Sequence, residues 1–599
     1  MSAPAGRLDL AVIGNCQVNA LIDPHGQLVW GAFPRPDSDP TFCALLHTDF
    51  ADAARGVFAI DCSERVQSAQ HYRRNSAVLE TVLTDAAGDS LRITDFCPRF
   101  RQNGRIFRPP SVIRIIEPLQ GSPQVRLRFR PAAHYGAEDV TLHAGSHHVS
   151  FQLPEMAARV TTNASLTALL ESRPFRLHAP LAFVFGTDEG LDQPPQVHAG
   201  LWLAQTDEYW QEWVRSLAVP ADWQEAVIRA AITLKLCTFE DTGAVLAALT
   251  TSIPESADSG RNWDYRACWL RDSFFVVQAL NRLGATRTME GYLRYIVNIA
   301  TQASGGVLQP LYGINGEGEL PERIIASLPG YHGMGPVRVG NAAVVQRQHD
   351  VYGAVVMAAS QCFFDARLMT PGDLRLFQQL EAMGTQAAAL LDSPDAGPWE
   401  FRGREQRHTF SAAMCWAACD RLARIAAQLG LQDRGAHWNA LAEDMRARIL
   451  RRAWNPQRRV LASSLDGDGL DATVLLLPEL GLIDARDERF LATLDAVERE
   501  LREGDLIFRY RHSDDFGLPH NAFTVCSFWY VNALAAAGRR AEAREIFERL
   551  LLRRNRLGLL SEDIDPVTGE QWGNYPQTYS MVGVIGCARR LSRSWEEVV

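Results

Sequence analysis

Alternating short strands in the first third and paired helices in the rest predict a two-part fold. The expected parts are an N-terminal antiparallel β-sandwich over residues 1–204, a linker helix over 205–221, and an α/α barrel over 222–599. Three observations carry this. Residues from about 8 to 200 place apolar and polar side chains in alternation, with turn residues between the runs. The periodicity becomes helical near residue 205. About twelve helical stretches follow, an even series that closes naturally into a ring of hairpins.

Among the strands, Val125-Arg126-Leu127-Arg128-Phe129-Arg130 alternates strictly, one face for a core and one for water. Leu28-Val29-Trp30, Leu91-Arg92-Ile93 and Leu181-Ala182-Phe183-Val184-Phe185 continue the series. Asp23-Pro24-His25-Gly26 and Ala86-Ala87-Gly88-Asp89 supply turn chemistry between them. Thr206-Asp207-Glu208-Tyr209-Trp210 reads as the capped start of the linker helix, and Pro220-Ala221-Asp222 as the start of the next.

Helix starts are expected near 222, 270, 286, 346, 371, 409, 432, 468, 486, 520, 541 and 576. From Ala541 to Leu552, residues Ala543, Ile546, Phe547, Leu550 and Leu551 share one face, and Glu545 lies one turn before Arg549. Five long loops rich in Gly, Pro and aromatics join these helices: 254–269, 305–345, 393–408, 504–519 and 557–575. Loops of that length in a compact domain are usually functional. If helices alternate inward and outward, all five share one rim.

A formal net charge of -10 excludes a nucleic-acid binder, which needs a basic face. Eleven scattered cysteines, mostly in apolar runs and without a CxxC pair, read as small core residues in a reducing compartment. Met1-Ser2-Ala3-Pro4-Ala5-Gly6-Arg7 lacks the apolar core of a signal peptide, and no apolar run approaches the roughly 18 residues of a membrane span. A cytoplasmic, soluble chain with no membrane partner is expected; the sequence leaves room for a homo-oligomer. His143, His147 and His148 have no carboxylate or Cys to complete a ligand set, so no metal is expected. No phosphate-binding Gly-rich fingerprint and no Gly-x-Ser-x-Gly elbow occurs, and no cofactor is implied.

Two glutamates anchor the chemistry: Glu400 in Gly397-Pro398-Trp399-Glu400-Phe401-Arg402-Gly403, and Glu562 in Gly558-Leu559-Leu560-Ser561-Glu562-Asp563. Two separately supplied carboxyls, one protonated and one ionised, are what cleaving a glycosidic bond requires. Trp263, Tyr265 and Trp269 in the cluster Ser259 to Asp272 can stack on sugar faces, and Arg271 with Asp272 forms a donor–acceptor pair suited to neighbouring hydroxyls. Leu328 to Asn341 holds four glycines and two prolines around Tyr331, backbone shaped for a close approach.

These motifs together resemble bacterial members of glycoside hydrolase family 15, the glucoamylase, glucodextranase and trehalase family. The likeness runs from Val12-Ile13-Gly14-Asn15-Cys16 and Phe33-Pro34-Arg35-Pro36-Asp37-Ser38, through Arg261 to Arg266 and Trp269 to Asp272, to Gly573-Asn574-Tyr575-Pro576-Gln577. The resemblance implies a β-sandwich joined by a linker helix to an (α/α)6 barrel. It also implies an inverting exo-hydrolase that releases β-glucose from the non-reducing end of an α-glucoside. By position it assigns Glu400 as general acid, Glu562 as general base and Tyr265 as the group orienting base and water. Arg271 and Asp272 would grip the terminal glucose, with Arg509 a further sugar-binding residue. From the residues themselves, Trp263, Trp269, Tyr331 and Trp399 are also expected to contact the substrate. Four positions depart from the pattern: Phe401 replaces a second carboxylate, Met581 a His, and Ala412 and Ala354 stand where relatives have Lys and Glu. These departures are expected to shape the leaving-group side.

The expected partner is a small α-glucoside or α-glucan. A glucoamylase-like α-glucosidase is the leading reading and a trehalase the alternative. A non-catalytic sugar-binding protein and a phosphorylase are disfavoured because both glutamates are present.

Overall fold

The computed structural model describes residues 8–49, 53–303 and 307–598. Met1 to Arg7 and the start of the 305–345 loop lie outside them. The N-terminal part is two antiparallel sheets packed face to face. One sheet runs, in spatial order, Ala11–Gly14, Asn19–Ile22, Leu28–Ala32, Val57–Cys62, Gln124–Arg130 and Phe175–Arg176, with Pro40–Phe42 paired to Leu28–Ala32. The other has eight strands from His143–Ala144 at one edge to Arg65–Tyr72 at the other. Strict alternation at Gln124–Arg130 buries Val125, Leu127 and Phe129 and turns the arginines outward, where Asp61 on the neighbouring strand takes Arg128. Phe33, Phe42, Phe58, Phe129, Phe183 and Phe185 meet edge to face between the sheets.

Helix α1 (Leu166–Glu171) is capped by Ser165, and α2 (Pro195–Arg215) leads out of the sandwich. The linker helix therefore begins at Pro195 and not near 205. Proline at the first turn sets the helical φ without losing a needed N–H, and Ala199, Thr206, Trp210 and Val214 then form one buried stripe. Thr206 is not a cap; its hydroxyl accepts the backbone N–H of Arg99 at 3.1 Å.

The remaining helices are α3 (Gln224–Leu236), α4 (Ser273–Arg282), α5 (Thr286–Gln302), α6 (Asp350–Phe364), α7 (Leu374–Leu390), α8 (Thr409–Gln428), α9 (Gln432–Ala453), α10 (Leu477–Leu480), α11 (Glu488–Leu501), α12 (Thr524–Ala536), α13 (Arg540–Leu551), α14 (Thr578–Leu591) and the short α15 (Trp595–Val598). An inner ring closes through contacts of α4 with α6, α6 with α8, α8 with α10, the 3-10 turn before α10 with α12, α12 with α14, and α14 with α4. Outside it, α3 packs on α14, α5 on α4 and α6, α7 on α6 and α8, α9 on α8, and α13 on α12 and α14. The weak stretch near 468 becomes the 3-10 turn Ala472–Leu476, capped by Asp471, running into the short α10. Inner helices are buried nearly all round, as α6 and α12 show, whereas outer ones such as α11 bury a single stripe.

The two parts are bolted together by buried polar contacts. Arg99 of the sandwich and Lys235 of α3 both bind Glu240, each at 2.7 Å. The Trp30 indole donates to the Leu249 carbonyl at 2.8 Å, and Arg266 donates to the Ser38 carbonyl at 2.9 Å. All eleven cysteines are buried and free. No helix among the described residues is long and apolar enough to cross a membrane.

Candidate active site

Each of the five long loops contributes to one cavity, of about 1070 Å³ with its open mouth, on one end of the ring. The inner helices α4, α6, α8, α12 and α14 begin at this end, directly after the loops.

Glu562 sits where two backbone strands converge. Its carbonyl accepts the Thr524 N–H at 2.9 Å and its N–H donates to Asn574 at 3.2 Å, so the main chain is fixed on both sides. The carboxyl is 1% exposed. Oε1 accepts the Tyr265 hydroxyl at 2.6 Å and Oε2 the Asn574 N–H at 3.1 Å. Gly573, at φ +76, passes so close that an added Cβ would stand 2.6 Å from the Glu562 Cβ. Burial, then the neighbouring Glu255 charge, push the Glu562 carboxyl up, while Tyr265, Asn574 and Arg509 pull it down; the rise prevails.

Glu400 lies on a tight turn closed by its N–H to the Gly397 carbonyl at 3.1 Å, and takes the left-handed φ of 60. Gln346 fixes its carbonyl at 3.1 Å. Its Oε1 accepts the Trp269 indole N–H at 2.8 Å and lies 3.5 Å from an Arg271 nitrogen. No described residue hydrogen-bonds its other oxygen. The Trp399 indole donates to Asp471 at 2.8 Å and packs among Tyr510, Phe523 and Trp529 as the cavity's apolar flank.

Arg271 is held by Asp350 at 2.7 Å and by Gln348. Asp272 follows it into the cavity, and its carboxylate takes no hydrogen bond from any described residue, leaving open acceptors. Burial pushes Asp272 up to about 7, against the pull of Arg271 and with Glu400 and Asp350 adding to the rise. Arg509 and the Trp263 indole both bind Glu255, the latter at 2.9 Å.

Nine of the ten residues singled out in the sequence thus meet here: Glu400, Glu562, Tyr265, Arg271, Asp272, Trp263, Trp269, Trp399 and Arg509. Tyr331 does not. It is buried against the sandwich core, edge-on to His332 and Trp572. The glycines around it let backbone approach backbone: a Cβ on Gly330 would stand 2.6 Å from the Gly335 nitrogen, and one on Gly340 2.3 Å from the Pro321 carbonyl oxygen. Of the four departures, only Phe401 reaches the cavity; Ala354, Ala412 and Met581 are buried in the barrel core.

The description "Glycosyl hydrolases family 15" matches residues 221–589, and "Trehalase-like, N-terminal" matches residues 2–153. The chain belongs to glycosyl hydrolases family 15. It is a glycoside hydrolase. A trehalase of Thermoplasma volcanium is 30% identical, covering 97% of this chain and 93% of that one. A trehalase of Mycobacterium tuberculosis is 32% identical, covering 98% of this chain and 90% of that one. A bacterial glucoamylase solved with acarbose shares the fold, with a TM-score of 0.69 and 14% identity over 98% of this chain and 94% of that one.

At this family 15 site, sequence reasoning missed Glu255, Gln346 and Arg402 in the lining, and Asp350 and Asn574 behind it, which hold Arg271 and Glu562. Asn574 stood in a quoted motif, Gly573-Asn574-Tyr575, and was readable. Glu255, in Ile253-Pro254-Glu255-Ser256, has no local mark; only the fold brings it to Arg509 and Trp263.

Proposed function

We propose that the enzyme hydrolyses α,α-trehalose with inversion, Glu400 serving as general acid and Glu562 as general base. The observation that carries the chemistry is that Glu400 and Glu562 line one cavity, each gripped by a separate aromatic donor. Full-length likeness to proteins named trehalase, of which the chain spans nine-tenths or more, supports this substrate. This takes the second of the two substrates left open by the sequence.

One glucose enters as far as Asp272, whose open carboxyl accepts hydrogen bonds from sugar hydroxyls while the Arg271 guanidinium faces the same ring. Water beside Glu562 gives a proton to that carboxylate as its oxygen attacks the anomeric carbon. The C1–O bond breaks on the opposite face, and its electron pair takes the proton of Glu400. The Tyr265 hydroxyl and Asn574 N–H favour the ionised form of Glu562, which attack requires. Each turnover then yields one β-glucose and one α-glucose. Inversion implies carboxyls roughly 6.5–9.5 Å apart, leaving room for that water.

Proton NMR of the protein with trehalose, maltose and isomaltose, each in phosphate-free buffer, tests the reading. Equal β- and α-glucose from trehalose, before mutarotation, is expected. Only α-glucose from trehalose would overturn inversion, and turnover of maltose with trehalose untouched would overturn the substrate. Glu400→Gln and Glu562→Gln should each lose on the order of 10²-fold or more in turnover.

A further inference from the structure

The mouth of the cavity is crossed by a clasp. Arg402 follows the Glu400 turn and binds Glu322 through both terminal nitrogens, at 3.2 and 2.8 Å. Its guanidinium lies 4.6 Å from the Trp263 ring centre and 5.4 Å from that of Phe516, and those two rings meet edge to face at 5.0 Å. Its N–H donates to Asp515 at 2.6 Å. Four of the five rim loops are thereby tied at one side chain.

Glu322 is itself fixed, by the Ala342 N–H at 3.1 Å and Arg338 at 3.4 Å. An isolated surface ion pair contributes little. This one has a two-nitrogen grip, two aromatic faces and a second cation, which together set its geometry.

Depth along the cavity orders these groups. Side-chain exposure rises from 12% at Arg271 through 23% at Glu400 to 31% at Arg402. In the trehalose reading, the first sugar ring occupies the Arg271 end. The scissile oxygen lies at Glu400. The second ring then falls between Glu400 and the clasp, against Trp263 and Phe516.

We propose that the Arg402–Glu322 pair, clamped against Trp263 and Phe516, is the end wall of the leaving-group subsite and restricts the enzyme to substrates of two sugar rings. The identity of the second ring rests on the trehalose reading. The wall itself does not, since any chain extending past that ring meets the same guanidinium.

The test compares full-length wild type, Arg402→Ala and Glu322→Gln on trehalose and on α-maltosyl α-glucoside, the trisaccharide that carries one added glucose. Cleavage of its α,α bond gives glucose and maltose, so the product identifies the bond cut. The ratio of kcat/KM for trisaccharide over disaccharide is expected to rise about tenfold or more in both variants. Glu322→Gln keeps the side-chain shape and carries the test alone if Arg402→Ala does not fold. An unchanged ratio in a folded variant, or a wild type that takes the trisaccharide as readily as trehalose, overturns the wall. If wild type cleaves maltose and leaves trehalose, the trehalose reading fails, and the ratio for maltotriose over maltose judges the wall separately.

Discussion

Tyr265 and Trp269 pack edge to face with ring centres 5.2 Å apart, and each gives its polar hydrogen to a different glutamate. The hydroxyl goes to Glu562 at 2.6 Å and the indole N–H to Glu400 at 2.8 Å. One short stretch of chain therefore registers two carboxyls supplied by loops far apart in sequence. Strand pairing of Trp269 with Leu311 anchors that stretch.

Replacing Tyr265 by Phe keeps the ring packing and removes the donor to the base. A hydrogen bond to a charged group contributes about 1.5–3 kcal/mol, so kcat/KM should fall roughly 10- to 100-fold. The acidic limb of the pH–rate profile should also move to higher pH, because the lost hydroxyl favoured the ionised form. Steady-state kinetics across pH read both effects.

Glu255 is the buried charge that raises Glu562, second only to burial itself. A general base works ionised, so in the role proposed for Glu562 a raised carboxyl is protonated at higher pH, and the rate falls as pH drops through that value. Glu255→Gln should shift the acidic limb of kcat/KM to lower pH. It should also weaken substrate binding, because Gln keeps one acceptor oxygen where Trp263 and Arg509 now use two, and Arg509 loses its counter-charge. A limb that stays in place would remove Glu255 from the electrostatics of the base.

Gly573→Ala should be far more damaging than its size suggests. The backbone there is left-handed and the new methyl would press on the Glu562 side chain. Stability should fall by more than about 1 kcal/mol, and turnover should fall further than stability explains. Chemical denaturation and kcat on the folded fraction separate the two.

Glu240→Gln should loosen the sandwich from the barrel. Burial opposes the Glu240 charge, but Lys235 and Arg99 overcome it and hold the carboxyl well below its usual range. The stability it contributes is present above the ordinary carboxylate pKa and is lost as pH falls. The variant leaves two buried cations unpaired, at a cost of about 3–5 kcal/mol, read as a lower denaturation midpoint near neutral pH.

The strand and helix pattern was legible because period-two and period-3.6 burial are local properties: Gln124–Arg130 and α13 (Arg540–Leu551) appear where alternation and the apolar stripe put them. The start of α2 was misread because Thr206 has the chemistry of a cap but sits inside a helix already opened by Pro195. Glu400 and Glu562 were visible through their Trp- and Gly-rich settings. Tyr331 misled because glycines that let a loop fold on itself look the same in sequence as glycines that admit a ligand. The contacts of Arg402 with Glu322 and Phe516 were invisible, since they join loops whose meeting only ring closure decides.

The inner helices α4, α6, α8, α12 and α14 all begin at the cavity. Each N-terminus carries the equivalent of roughly half a positive charge, felt within its first turn. Five such ends converge on a space lined by Glu255, Asp272, Glu400 and Glu562, all buried or half-buried. Main-chain dipoles thus offset part of the charge that these acids bring together, and no side-chain substitution removes that contribution. The ring of helices is the counter-ion of its own active site.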